Sequence, residues 1–349
     1  MAASADQITR ASVGPPAQLD LFQRLVPAAE KIYTQSLELW DQAPKVVLGP
    51  PVDGAGKAVP KGSQYLPIQT RIFVHHDQKM FVEIAPARLR DRRGVERDAL
   101  PGLREMVVEQ AVRKIAIHQH RLFETDNARH GKLIGARFRI GEVCNDLGRL
   151  SHTYAWSEVR EALLVASGAI ITIRHEGDGK IIARAPIFPA VSLPAENNDG
   201  IARVAFHPLV AVGINATEYR QLYYDAALRL RSSIARWIHR RMAHRFRQAG
   251  YADGGYHLLA TTIVRESGLC GYSRSRDRLR AIDDAISELR TPPRHVLLPS
   301  QPGSIVSPSR EGEARMKGRC WDDTLYILRP SPSFVEDVKL ANIADKLKV

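Results

Sequence analysis

Two short stretches carry the side chains best suited to a specific task. The first is SRSRDRLRAIDDAISELR, residues 273–290, with arginine at 274, 276, 278 and 280. Its Leu279, Ile282, Ile286 and Leu289 recur at three- and four-residue steps, which predicts a helix with one side in a core. The first two turns of that helix are basic. A guanidinium forks onto guanine O6 and N7 in a major groove and also neutralises phosphate, so the stretch suits double-stranded DNA. The predicted contacts are Ser273, Arg274, Arg276, Arg278 and Arg280. Arg274, Asp277, Arg280 and Asp284 fall on the outer face, with Arg276 and Arg278 on its flanks. The second stretch is Gln18-Leu19-Asp20-Leu21-Phe22, where an amide precedes two large apolar side chains beside a polar, Pro-broken segment.

Other chemistry is suggested and then fails on spacing. Gly54-Ala55-Gly56-Lys57 lacks the glycine required at position 51, which is Pro51, and Lys57 is followed by Ala58 rather than Ser or Thr, so no phosphate loop is predicted. His118-Gln119-His120, with the Tyr223-Tyr224 pair, invites comparison with metal-dependent nickases that hold an ion by His-hydrophobe-His. Its middle residue is Gln, and the surrounding pattern is helical, where residues two apart point about 200° from each other. Cys144, Cys270 and Cys320 are far apart and form no CxxC pair, so neither a zinc site nor a disulfide framework is expected. These readings predict no catalytic residues, no metal and no cofactor.

The formal net charge of +12 points to an anionic partner, while 44% hydrophobic and 25% charged residues describe a globular rather than a disordered chain. Asp6, Arg10 and Asp20 interrupt any early apolar run, and no stretch approaches the length of a membrane span. A cytoplasmic protein without a membrane partner is expected.

The elements that must position these residues follow from periodicity. Residues 1–64 read as a flexible N-terminal region, ending in the Pro/Gly-rich linker 44–61. Within residues 65–216, β-rich runs 68–74 and 80–85 suggest a hairpin, and 103–119 a helix. A short strand at 138–140, helices at 141–147 and 153–166, and strands 169–174 and 180–185 around Glu176-Gly177-Asp178-Gly179 follow. Helix, turn, helix, hairpin is the order of a winged helix. Glu158 and Glu161 on its second helix are an awkward surface against phosphate.

The order returns about 120 residues later, judged by Gly148 and Gly268 at the two turns. A strand at 257–260, a helix at 261–267, the basic helix, and wing strands 295–298 and 324–328 complete residues 217–349, with a helix at 333–347 beyond. The long loop between the wing strands carries Arg315, Lys317 and Arg319, further candidates for DNA contact. Between the two patterns, residues 217–248 hold apolar positions from Tyr219 to Phe246 at helical spacing, with Arg240, Arg241, His244, Arg245 and Arg247 crowding the last turns. One long helix is predicted there. The expected fold class is α+β, with two tandem winged-helix domains joined by a long helix and preceded by a flexible tail.

Tandem winged helices joined through a helix carrying Ala227-Leu228-Arg229-Leu230 resemble the replication initiators of iteron-containing plasmids, in which an Ala-Leu-Arg-Leu stretch near a Tyr is common. Gln18 to Phe22 resembles the peptide by which polymerases and their helpers dock on the bacterial sliding clamp, with Leu21 and Phe22 as anchors and Gln18 orienting. The resemblance implies binding to directly repeated double-stranded sites at an origin, origin opening, and recruitment of the clamp, host helicase and host initiator. It also implies that monomers open the origin while homodimers repress. A transcriptional regulator of the same fold, without an origin role, is the competing reading, because fold alone does not separate the two.

Overall fold

The computed structural model describes residues 33–90, 94–119, 121–127, 131–195, 200–215, 220–247, 255–267, 274–291, 296–297 and 324–346. The clamp-like peptide Gln18, Leu19, Asp20, Leu21 and Phe22, and Ser273, Arg315, Lys317 and Arg319, lie outside them. The chain is an α+β protein and divides into two compact units, Met1–Tyr219 and Arg220–Val349.

The first unit opens with β1 (Tyr33–Ser36) and α1 (Glu38–Gln42). Then come β2 (Gln69–His75), β3 (Gln78–Ala85), β4 (Ala87–Arg90), β5 (Glu96–Ala99) and α2 (Leu103–His118). After β6 (Leu122–Asn127) and β7 (Gly131–Arg139), α3 (Ile140–Gly148) and α4 (Trp156–Gly168) form a helix pair. The hairpin β8 (Ile170–His175) and β9 (Ile181–Pro186), then β10 (Ala190–Ser192), β11 (Ile201–Ala205) and α5 (Pro208–Asn215) complete the unit. Its sheets are antiparallel, in the orders β2-β3-β8-β9 and β10-β11-β7-β6.

Helix α2 is the pillar of this unit, buried from Glu105 to Ile117 on every side. Its charges therefore need partners, since an unpaired buried ion is strongly destabilising. Arg113 donates to both carboxylate oxygens of Asp41, at 3.0 and 2.8 Å, and Glu109 accepts the Trp40 indole N–H at 2.6 Å. Lys114 donates to Asp146 at 2.8 Å, which ties α2 to α3. Arg121 and the Arg139 N–H both reach Glu142 in the first turn of α3. The helix pair is thus fastened to the pillar through charged contacts.

The second unit contains β12 (Arg220–Tyr223), α6 (Tyr224–Arg229), α7 (Ser233–Arg245), β13 (Tyr256–Leu259), α8 (Ala260–Glu266) and α9 (Ser275–Leu289). β14 (Leu325–Leu328) and α10 (Pro332–Lys346) follow. Its core joins Ile234, Ile238 and Met242 of α7, Ile263 of α8, Ile282, Ile286 and Leu289 of α9, Tyr326 and Leu328 of β14, and Phe334 and Val338 of α10.

The single long helix predicted over 217–248 is not formed. A strand, a short helix and α7 occupy the described part of it, with the break at Leu230-Arg231-Ser232. Leu230 is extended, at φ −63° and ψ 124°, and the Ser232 hydroxyl accepts the Ala235 N–H at 3.3 Å as the N-cap of α7. Glu288 of α9 reaches over to accept the N–H groups of Arg231 and Ser232, the latter at 2.9 Å. Amide groups that a continuous helix would have satisfied internally are satisfied instead by a cap and a distant carboxylate. Much of the basic character of α7 is buried: Arg236, His239, Arg240, Arg241 and His244 all lie inside the unit. Arg241 pairs with Glu266 of α8 and donates to the Tyr256 hydroxyl at 3.1 Å.

The two patterns that read alike in sequence close differently. In the second unit the strand before the helix pair, β13, is hydrogen-bonded to β14. The predicted wing strand at 295–298 contributes, in its described residues, only a bridge from Leu297 to Pro330. In the first unit the corresponding strand, β7, pairs with β6 and β11, while the hairpin β8–β9 continues the β2–β3 sheet.

Candidate nucleic-acid interface

Helix α9 is held from inside and along its length. Ile282 and Ala285 are fully buried, with Ile286 and Leu289 nearly so, at the three- and four-residue spacing of one stripe. Asp283 accepts the Tyr326 hydroxyl at 3.1 Å, fixing the middle of the helix to β14. Burial and this carboxylate together push the Tyr326 phenol above its ordinary pKa, so it stays a proton donor. Glu288, as described, anchors the far end to the start of α7.

The outward side chains of the first two turns carry none of these fastenings. Arg274, Arg276 and Arg280 are exposed and form no ion pair with any described residue. Arg276 and Arg280 stand four residues apart on the outward face, about 6 Å along the axis. Arg278 differs from the flanking position expected of it. It is half-buried, one turn before Ile282 and in line with the buried stripe, and so belongs to the inward edge. Asp277 and Asp284 share the outer face, with Asp277 placed in the first turn where a carboxylate complements the helix dipole.

Beside the C-terminal half of α9 a cleft of about 680 Å³ opens, lined by Asp225, Arg229, Arg231, Asp284, Ser287 and Glu288 among others. Arg229 and Arg231 are exposed there. Sequence reasoning passed over both, because on one continuous helix they were two positions among many, whereas the elbow at Leu230 turns them toward α9. Arg229 belongs to the Ala227-Leu228-Arg229-Leu230 stretch, whose Ala227 and Leu228 are core.

The corresponding helix of the first unit, α4, has a different surface. Glu158 accepts the Ala155 N–H at 2.7 Å, capping the helix start. Glu161 accepts hydrogen bonds from Arg97 at 2.9 Å and Arg104 at 3.1 Å. Burial alone would raise the Glu161 carboxyl; the hydrogen bonds from the two arginines outweigh it and hold the group below the usual carboxylate range. Both acids of the predicted helix are therefore engaged by their own chain. The hairpin next to it presents Glu176 and Asp178 at its tip, with Glu176 paired to Lys79 at 3.6 Å.

His118 is the last residue of α2 and Gln119 its C-cap, in keeping with the helical reading of that segment, while His120 lies outside the described residues. Among the described residues no helix is long and apolar enough to cross a membrane.

No protein-family model matches the sequence, and no curated protein matches it either. Among solved structures the chain is similar to the crystal structure of RctB domains 2-3, with a TM-score of 0.41 and 10% identity over 72% of this chain and 82% of that one. A selenomethionine derivative of domains 2 and 3 of RctB gives a TM-score of 0.41 and 8% identity over 71% and 83%. A likeness at that level leaves the function to be read from the chain's own residues.

Proposed function

We propose that the chain is a replication initiator that binds repeated double-stranded sites at an origin. The N-terminal end of α9 enters the major groove, with Arg276 and Arg280 on base edges or phosphates and Arg274, Arg229 and Arg231 on the backbone. The observation that supports this most directly is the exposure of Arg276 and Arg280 on the outward face of a helix whose other face is locked into a core. The excess of basic residues over the whole chain agrees with it. No catalytic step, metal or cofactor enters the reading; the work is binding, deformation of the duplex and recruitment.

In this proposal Gln18 to Phe22 docks on the bacterial sliding clamp, with Leu21 and Phe22 as anchors, while host helicase and host initiator are brought to the opened origin and a homodimer serves repression. A winged-helix transcriptional regulator uses the same DNA-reading surface, and the clamp peptide is the feature that separates the two. The test is binding of the purified chain to a sliding clamp and to DNA carrying direct repeats, beside a Leu21→Ala/Phe22→Ala variant. The expected result is clamp binding lost in the variant with DNA binding unchanged. An intact chain that reads DNA but ignores the clamp supports the regulator, and one that binds all sequences equally refutes base readout altogether.

A further inference from the structure

The tip of the β2–β3 hairpin carries a cluster that the DNA-binding reading does not use. β2 and β3 are in register with His75 opposite Gln78, which leaves a two-residue turn of His76 and Asp77. Both turn residues are left-handed, at φ 46° and 62°, as a tight hairpin turn of the primed type requires. Asn and Gly are the usual occupants of such positions, because side chains there crowd the backbone. Here the first is a histidine. Consecutive side chains of an extended strand point to opposite faces, but the left-handed backbone brings His76 back beside His75. Their rings meet edge to face, with centroids 4.2 Å apart and an interplanar angle of 77°.

The third member comes from another element. Glu38, in the first turn of α1, places a carboxylate oxygen 3.9 Å from His76 Nε2, beyond hydrogen-bond length. One ligand atom from each of Glu38, His75 and His76 lies within 4.8 Å of the others. Metal–ligand bonds to imidazole and carboxylate of about 2.1 Å put two donors on one ion about 3–4 Å apart. Glu38 and His76 already stand at that separation. Further closure is a matter of side-chain rotation, for which His76, with its side chain 73% exposed, has the most freedom.

We propose that Glu38, His75 and His76 bind one divalent first-row transition-metal ion of the zinc class. Two imidazoles and a carboxylate are the ligand set such ions favour over calcium or magnesium, and water completes the shell on the open side. The ion clips the β2–β3 hairpin to α1. That helix is itself tied to the pillar by Asp41 and Arg113, so the clip joins the hairpin tip to the core of the first unit. The inference stands whether or not the chain is an initiator.

The test uses the full chain, stripped with a chelator and titrated with Zn²⁺ by calorimetry and with Co²⁺ by visible absorption. Two variants accompany it. His76→Asn removes a ligand while placing a residue that tolerates the left-handed turn, and Glu38→Gln removes the carboxylate charge with little change of shape. The expected result is one ion per chain at roughly micromolar affinity, weakened at least about tenfold in each variant. A thermal midpoint raised by Zn²⁺ in the parent only would accompany it, by mass action on the folded state. A parent without stoichiometric binding overturns the proposal. So does undiminished binding in both variants, which would place the ion on other histidines of the chain.

Discussion

The helices α4 and α9 occupy equivalent places in their units, yet one has its acids engaged by its own chain and the other exposes three arginines. The scaffolds behind them are alike. In each unit a pillar helix sends a buried cation to an acid of the first helix of the pair: Lys114 of α2 to Asp146 of α3, and Arg241 of α7 to Glu266 of α8. The outward surfaces diverge. The acids of α4 are consumed by a cap and by Arg97 and Arg104, whereas α9 exposes Arg274, Arg276 and Arg280 without intramolecular partners among the described residues. Under the proposed function, a common frame with different surface charge would let one unit read DNA and leave its counterpart for backbone or protein contacts.

The largest effect should come from breaking the shared frame. Asp146→Ala leaves the Lys114 ammonium buried without its carboxylate, and Glu266→Ala does the same to Arg241; each should cost about 3–5 kcal/mol. Hydrogen exchange read unit by unit measures this. Comparable losses confined to the altered unit would support the parallel, and a loss under about 1 kcal/mol in either would mean that one of the two pairs does not fasten its helix.

Next in size is the difference in surface. Arg276→Ala or Arg280→Ala should weaken binding to a cognate repeat by about 1–3 kcal/mol and relax preference at one base. Glu161→Gln and the exposed Ser157→Ala on α4 should change it by less than about 0.5 kcal/mol, as surface changes away from the contact do. If the α4 substitutions matter as much as the α9 ones, the assignment of readout to the second unit is wrong.

Acid should also separate the units. Burial, reinforced by nearby Arg240, lowers the His239 pKa to about 3, and the ring packs against Phe334 at 6.0 Å between centroids. An imidazole whose pKa falls on folding contributes stability that is complete above its unfolded value near 6.5 and lost as pH drops toward the folded one. The second unit should therefore lose about 1.4 kcal/mol per pH unit below about 6. His239→Phe should flatten that slope, read from denaturant midpoints between pH 7 and 4. An unchanged slope would show that other groups set the acid response.

How much of this was legible in advance depended on whether the deciding contacts were local. The hairpin β2–β3, α2, α3, α4 and the hairpin β8–β9 all announce themselves by alternation, helical spacing or the Gly-Asp-Gly turn, and each forms within a few residues of its predicted bounds. The elbow at Leu230-Arg231-Ser232 was invisible because its apolar positions keep helical spacing straight through the break. The carboxylate that holds it open, Glu288, lies 56 residues beyond Ser232. The short strands β10 and β11 were missed for want of a long alternating run, and β7, the partner of β11, was seen only at its end. The spacing singled out the arginines of α9; the stripe of Ile282, Ala285, Ile286 and Leu289 then puts the half-buried Arg278 nearer the core than Arg276 and Arg280. Burial of Arg236, Arg240 and Arg241 had no local signal, since a basic run at a helix end usually lies in solvent.

The smallest predicted effect bears most directly on why α9 begins as it does. Its N-cap is Arg274, in extended backbone at φ −97° and ψ 132°, with no side-chain hydrogen bond to the first-turn amides. Ser, Thr, Asp or Asn at that place would accept one of those N–H groups and stabilise the helix by about 0.5–1 kcal/mol. α4 fills the equivalent need with the Glu158 carboxylate, whereas α9 places a cation at the positive end of its dipole. That local disadvantage makes sense if Arg274 is retained for a phosphate. Arg274→Asn should then raise the stability of the second unit by a few tenths to about 1 kcal/mol while reducing DNA affinity and lowering the salt dependence of binding by about one counterion. Stability that rises with no loss of affinity would show that Arg274 serves no DNA contact, and would confine the interface to Arg276, Arg280 and the cleft arginines.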